Sequence, residues 1–224
     1  MGTRQADQSR GRAFASRSLR RLRRQPISKV NENKEIVSVT TLAGQLLIAM
    51  PQMPDPRFAR TVIYLCVHSG EGAMGLVINK LADNPQVTLA ELMGRLGIAA
   101  EGLKADARVR FGGPTEPGRG FVLHSADYAE DGTLVVDGNV ALTATLDILR
   151  AIGRGQGPEK SILALGYAGW GPGQLDAEIQ ANGWLHAQAD DQLIFDPNPK
   201  SKWQRALARI GVDLSALSGD AGHA

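Results

Sequence analysis

Cys66 and His68 stand two residues apart in the run TVIYLCVH, from Thr61 to His68. In a β-strand, alternation puts Val62, Tyr64, Cys66 and His68 on one face and Ile63, Leu65 and Val67 on the other, which brings the thiol and the imidazole within reach of each other. A thiol beside an imidazole is a pair used in nucleophilic catalysis: the base removes the proton and leaves a thiolate, and His124 or Asn79 is available to orient the ring. A plainer expectation competes with it. A lone cysteine in an apolar strand is usually a small packing residue, and a histidine at a strand end is usually a satisfied polar group. No acid adjoins His68 in the sequence, so nothing local argues for a lowered thiol pKa, and Cys66 is expected to be structural. The histidines His68, His124 and His186 show no ligand spacing and come from separate segments, so no metal is expected, and no cofactor.

The stretch GYAGWGPGQLDAEIQANGW, Gly166 to Trp184, carries the densest local signal. The apolar run SILAL before it has the pattern of a strand buried on both faces. Gly166, Gly169, Gly171 and Gly173 then mark a sharply shaped turn, and a side chain at Gly171 would be costly if its φ is positive. A helix is expected from Gln174, with Leu175 and Ile179 on one face, Asp176 and Glu178 in its first turn and Asn182-Gly183 as its stop. Such a turn could cradle a phosphate, but the position three beyond Gly171 is Gln174, the P-loop lysine is missing, and Asp176 and Glu178 occupy the slot an anion would need. Close packing of a strand-to-helix corner against Trp170 and Trp184 is the expectation, with any binding site beside Gly169, Trp170 and Gly171.

The elements that must position these residues follow from pattern. Leu46–Met50 is a buried strand stopped by Pro51, and the proline-rich PQMPDPRF is an extended loop. After the strand of Cys66, SGEGAM is a hairpin connection and Gly75–Asn79 the returning strand. Thr88 caps a helix carrying Leu89, Leu92, Met93 and Leu96, with Glu91 completing a capping box and Gly97 as stop. Arg108–Phe111 starts a strand closed by Gly112-Gly113-Pro114; the polar loop TEPGRG leads to the strand ending at His124, and TLVV and GNV form a short pair. Thr143 to Arg154 is a helix capped by Thr143, with Leu146, Ile148, Leu149 and Ile152 buried. A last helix, about Lys202 to Ile210, turns Trp203, Leu207 and Ile210 inward. Strands and helices mix without a βαβα rhythm, so the class is α+β.

Composition bounds the rest. The chain has 224 residues, 43% hydrophobic and 21% charged, with a net charge of +2 and one cysteine. That length supports one core, the single cysteine excludes an intramolecular disulfide and fits a reducing cytoplasm, and no run is long enough for a membrane span. Residues 1–34 hold ten Lys/Arg against Asp7 and Glu32, which leaves residues 35–224 with 15 basic and 21 acidic groups, a net of −6. A disordered basic arm (1–34), one α+β domain (35–212) and a flexible tail (213–224) are expected. Nucleic acid could be reached only through the arm, because DNA binding rests on neutralising phosphates and the body is acidic.

LAGQLLIAMP, PRFARTVIYLCVHSGEGAMGLVINK, FGGP, GFVLH and GYAGWGPGQLDAEI together resemble the YqgE/AlgH family of bacterial proteins, over about Leu42 to Trp203. The resemblance implies an α+β domain with a mixed, bifurcated sheet curled into a pseudo-barrel and flanked by helices. It implies no catalytic chemistry; the family label suggests a transcriptional regulator. The family pattern touches His68, Asn79, Gly112, Gly113, His124, Trp170 and Gln174, a candidate motif surface, and also Gly44, Pro51, Phe58, Gly72, Gly75, Pro114, Gly166, Gly169, Gly171, Leu175 and Glu178. Val67-His68-Ser69 and Leu81 depart from it, which weakens any scheme needing an acid next to His68 or a rigid turn after Lys80. A binding or interaction protein with a protein or small-molecule partner is the leading expectation. A transcriptional regulator, or a hydrolase using Cys66 and His68, is the alternative.

Overall fold

The computed structural model of the protein describes residues 41–82, 88–103 and 107–212. The expected basic arm (1–34) and flexible tail (213–224) lie outside the described residues. The elements in chain order are β1 (Gln45–Ala49), β2 (Val62–Ser69), β3 (Gly72–Val77), α1 (Leu89–Arg95), β4 (Arg110–Phe111), β5 (Thr115–Ser125), β6 (Leu134–Val135), β7 (Val140–Thr143), α2 (Leu146–Gly153), β8 (Ser161–Trp170), α3 (Gln174–Gln180), β9 (Trp184–Gln188), α4 (Asp191–Ile194) and α5 (Lys202–Arg209). The strands form one sheet in the order β6-β7-β5-β8-β3-β2-β1-β9, with β4 joined to β8 in parallel and every other pair antiparallel. The class is α+β, and the mixed sheet curls into a half-barrel with helices on its flanks.

β8 is the trunk on which the sheet divides. Its first half pairs with β5 and β4 through Leu165, and β5 meets it again at Thr115–Tyr167, while Ala168–Trp170 pair with β3. The division falls at Gly166, whose φ is 71°. Before it, Ile162 and Ala164 face the concave core; after it, Ala168 and Trp170 pack on the opposite side and Tyr167 turns inward. A positive φ thus changes which parity faces the interior, a conformation that glycine adopts at little cost. Gly112 and Gly113 allow the chain after β4 to cross at this point: a Cβ on Gly112 would stand 2.2 Å from the Gly166 carbonyl oxygen, and one on Gly113 2.1 Å from the Tyr167 carbonyl carbon.

Three apolar layers result. The concave core joins Leu46, Tyr64, Leu76, Leu123 and Leu142 to Trp203 and Leu207 of α5, which covers one end of the half-barrel. Tyr64 crosses this core and its hydroxyl donates to Asp137 Oδ2 at 2.6 Å, tying β2 to the turn between β6 and β7. Outside, α3 covers Leu47, Ile63 and Val77, and α1 and α2 cover Val122 and Leu163.

Local signals account for most of the helices. Thr88 and Glu91 form the capping box at α1, Glu91 N–H donating to Thr88 Oγ1 at 3.2 Å and Thr88 N–H to Glu91 Oε2 at 2.9 Å, and Gly97 closes the helix at a φ of 68°. Four expectations are corrected. The returning strand β3 begins at Gly72 rather than Gly75. TEPGRG belongs to β5, whose pairing with β8 is interrupted between Thr115 and Gly120. Thr143 ends β7 instead of capping α2, because His124 and Thr133 take its hydroxyl, and Thr145 is the N-cap. Leu146, at the start of α2, is 47% exposed rather than buried.

Candidate functional site

The corner from β8 into α3 is built around one carboxylate. Glu178 Oε2 accepts the indole N–H of Trp170 at 2.9 Å and that of Trp184 at 2.8 Å, while its Oε1 accepts from Gln174 Nε2 at 2.8 Å. Gln174 Oε1 in turn accepts the Gly171 N–H at 3.0 Å. The two indoles meet edge to face at 5.9 Å between centroids. Trp170 is therefore a buried strut and Gln174 a brace on the turn. Gly173, at a φ of 69°, is the N-cap of α3. The backbone at Gly171 has no positive φ and a Cβ there meets only Gln174 Oε1 at 3.8 Å, so the constraint expected at Gly171 lies instead at Gly166 and Gly173.

Cys66 and His68 do not share a face. The β2–β3 pairing slips between Leu65 and Val67, a β-bulge that breaks the two-residue alternation. Cys66 and Val67 consequently both pack against the concave core, and His68 lies on the far side of the sheet. His68 Nδ1 accepts the Leu42 N–H at 3.0 Å, which leaves Nε2 to carry the proton, 3.4 Å from Asp176 Oδ1. An acid does adjoin His68, but it comes from α3 and not from the strand. The Cys66 thiol is 3.7 Å from the Tyr64 carbonyl oxygen, and its burial pushes its pKa well above the ordinary range. Both groups are satisfied locally.

The remaining candidates are dispersed. His124 is fully buried on the α2 side of the sheet, its Nδ1–H donating to the Ser125 carbonyl at 2.9 Å and its Nε2 accepting from Thr143 at 2.9 Å; burial lowers its pKa. Asn79 accepts the Val62 N–H at 2.7 Å and donates to the Arg60 carbonyl at 2.9 Å, closing the proline-rich loop. Gly112 and Gly113 form the crossing described above, and exposed His186 bonds Gln45. Among the described residues no three His, Cys, Asp or Glu side chains gather to hold a metal ion.

The open mouth of the half-barrel, beside Gly169, Trp170 and Gly171, holds a cavity of about 440 Å³. Val67, Met74, Phe121, Leu134 and Leu142 form its apolar part. Its rim carries a polar cluster that sequence reasoning missed: Arg119 Nη1 donates to Glu116 Oε2 at 3.0 Å, Tyr167 hydroxyl donates to Glu116 Oε1 at 3.4 Å, and the Arg119 guanidinium lies 4.9 Å over the Phe121 ring. Burial, with Glu116 next in effect, raises the Tyr167 pKa. The alternating charges of TEPGRG next to an aromatic were the available signal, obscured because the segment has the composition of a loop. Among the described residues no helix is long and apolar enough to cross a membrane.

Comparison with known proteins adds lineage to this geometry. A family model described as AlgH-like matches residues 46–215. A UPF0301 protein of Rhodospirillum rubrum is 55% identical over 183 residues, covering 82% of this chain and 94% of its own length. A UPF0301 protein of Afipia carboxidovorans is 53% identical over 193 residues, covering 83% and 91%. The solution structure of the AlgH protein from Pseudomonas aeruginosa superposes with a TM-score of 0.66 at 42% identity, over 87% of this chain and all (100%) of that one. A crystal structure from Corynebacterium diphtheriae, 21% identical with a TM-score of 0.61 over 81% of this chain and 90% of its own, shares the fold.

Proposed function

The chain belongs to the AlgH-like family, and on that premise we propose that it is a cytoplasmic binding protein that takes the apolar body of a small molecule into the mouth of its half-barrel. The cavity beside Gly169–Gly171 carries this reading, because it is concave, apolar within and polar at its rim, the usual build of a small-molecule site. Arg119 and Glu116 would hold the polar end of the ligand, and the Phe121 and Tyr167 rings, edge to face at 5.7 Å, would form a wall. Binding is favoured over hydrolysis by the sealed thiol: Cys66 is 3% exposed, its pKa is raised by burial, and His68, the base expected beside it, is turned to the Leu42 N–H on the far side of the sheet. Regulation through DNA would fall to residues 1–34, which carry the positive charge that the body lacks.

The uncharged dye N-phenyl-1-naphthylamine tests the site. The full chain should enhance its emission saturably at about one dye per chain, and Met74→Trp, which fills the cavity from β3, should weaken binding at least about tenfold. Absence of saturable enhancement, or equal enhancement by the filled variant with its fold intact by circular dichroism, would refute the assignment.

A further inference from the structure

A second cleft, of about 590 Å³, opens between the proline-rich loop after β1, the residues following β3 and the start of α5. Its charged lining is all of one sign: Arg60, Lys80 and Lys200, with no carboxylate in the walls. Among the described residues none of the three is ion-paired. Lys80 Nζ donates to the Arg57 carbonyl at 2.8 Å, which fixes the ammonium without neutralising it. Asp55, the acid that Lys80 feels, is already held by Arg57 through Nε at 3.0 Å and Nη2 at 2.7 Å. Arg60 is stacked over the Trp203 indole, 5.6 Å from its centroid, so its charge is held at the cleft. The field of the cleft opposes that of the body, whose residues 35–224 carry a net of −6.

The start of α5 adds to that field. This eight-residue helix begins at Lys202, whose N–H donates to the Pro199 carbonyl at 3.4 Å, and its N-cap, Ser201, makes no side-chain cap. The first-turn N–H groups of a helix have no partner within it, and the positive end of the dipole lies there. Lys200, Trp203 and Gln204 from this end line the cleft. A concave site with cations of one sign concentrates anions, and three cations exceed what one carboxylate needs while suiting the two charges of a phosphate. The cleft also lies within the roughly 300–1,000 Å³ of small-molecule sites.

We propose that this cleft binds a small phosphate-bearing metabolite, its phosphate held by Arg60, Lys80 and Lys200 at the start of α5. The site shares no lining residue with the half-barrel mouth and does not depend on it.

Titration of the 15N-labelled full chain with inorganic pyrophosphate and with ADP, at low salt, tests it. The expected result is saturable shifts of the Asn79, Lys80 and Lys200–Gln204 amides, with affinity weakened at least about tenfold in the Arg60→Gln/Lys200→Gln double variant and weakened further by salt. Arg60 and Lys200 are exposed side chains, and the amide spectrum itself reports whether the fold is kept; the single Lys200→Gln variant, expected to lose at least about threefold, stands in if the double variant does not fold. Arg209→Gln, which is ion-paired with Asp190 and does not line the cleft, should bind as the parent does. Shifts confined to residues 1–34, no shifts up to about 10 mM probe, or equal affinity in the folded cleft variants would overturn the assignment.

Discussion

Lys202 should make the stability of the protein rise with pH above neutrality. It is the first residue of α5, fully buried, with Nζ donating to the Ile194 carbonyl at 2.5 Å. Burial, then the nearby charge of Arg110 and, in smaller part, of Arg205, lowers its pKa from 10.5 to about 7, against the opposing pull of Asp196. In the unfolded chain it is an ordinary lysine. Between about pH 7 and 10.5 the unfolded state therefore binds the extra proton, and stability rises with pH through that window; below about 7 both states are charged and this dependence levels off. One unit of pKa is worth about 1.4 kcal/mol. The full difference is on the order of 5 kcal/mol, and the gain between pH 7.5 and 8.5 is roughly 1 kcal/mol. Lys202→Met keeps much of the side-chain volume and removes the titration, at the cost of leaving the Ile194 carbonyl without its donor. Urea unfolding of parent and variant at pH 5.5, 6.5, 7.5 and 8.5 checks it. The stability difference between them should be nearly constant at the two lower values and change by roughly 1 kcal/mol in the parent's favour between the two higher ones. Cys66 and Tyr64, whose pKa values are raised by burial, bend the alkaline end of both curves the other way and cancel in the difference. Parallel curves across the whole range would mean that Lys202 is not desolvated, and the account of its burial would fail.

Two further outcomes follow from the same structure. Gly112→Ala should destabilise by about 3 kcal/mol or more, since the added methyl meets the Gly166 backbone in a fixed crossing, whereas Gly171→Ala, whose Cβ would make only an ordinary contact with Gln174 Oε1 at 3.8 Å, should stay within about 1 kcal/mol of the parent. Equal melting temperatures for the two variants would contradict the crossing. Native Cys66 should react with a thiol reagent at pH 7.5 far more slowly than a free cysteine and become fast only on unfolding in urea; rapid native labelling would return the thiol to the candidate nucleophiles.

Elements whose signals are local were legible in the chain. The capping box at Thr88 and Glu91, the helix from Gln174 with its stop at Asn182-Gly183, and the packing of Trp170 against Trp184 all follow from residues within about one or two turns or one strand-to-helix corner. Family membership was equally legible, because its motifs are contiguous strings. Faces and meeting places were not. Period-two alternation assigns a side chain to a face only while the strand stays regular, and both strands that mattered break it: β2 by a bulge at Cys66, whose register is set by its partner β3, and β8 by the positive φ at Gly166, where the chain after β4 crosses. Cys66 and His68, neighbours in sequence, are parted by that bulge, and His68 finds its acid on α3 at Asp176. The converse holds at the two cavities. Arg60, Lys80 and Lys200 are far apart in the chain and mean nothing singly, and Glu116 has the sequence of a loop; only the curling of the sheet and the docking of α5 bring like charges around one cleft and a polar rim around the mouth. Propensity and capping act over a few residues, whereas register and enclosure depend on pairing partners up to 154 positions apart, as between Trp203 and the Ala49 carbonyl, and only the folded chain decides them.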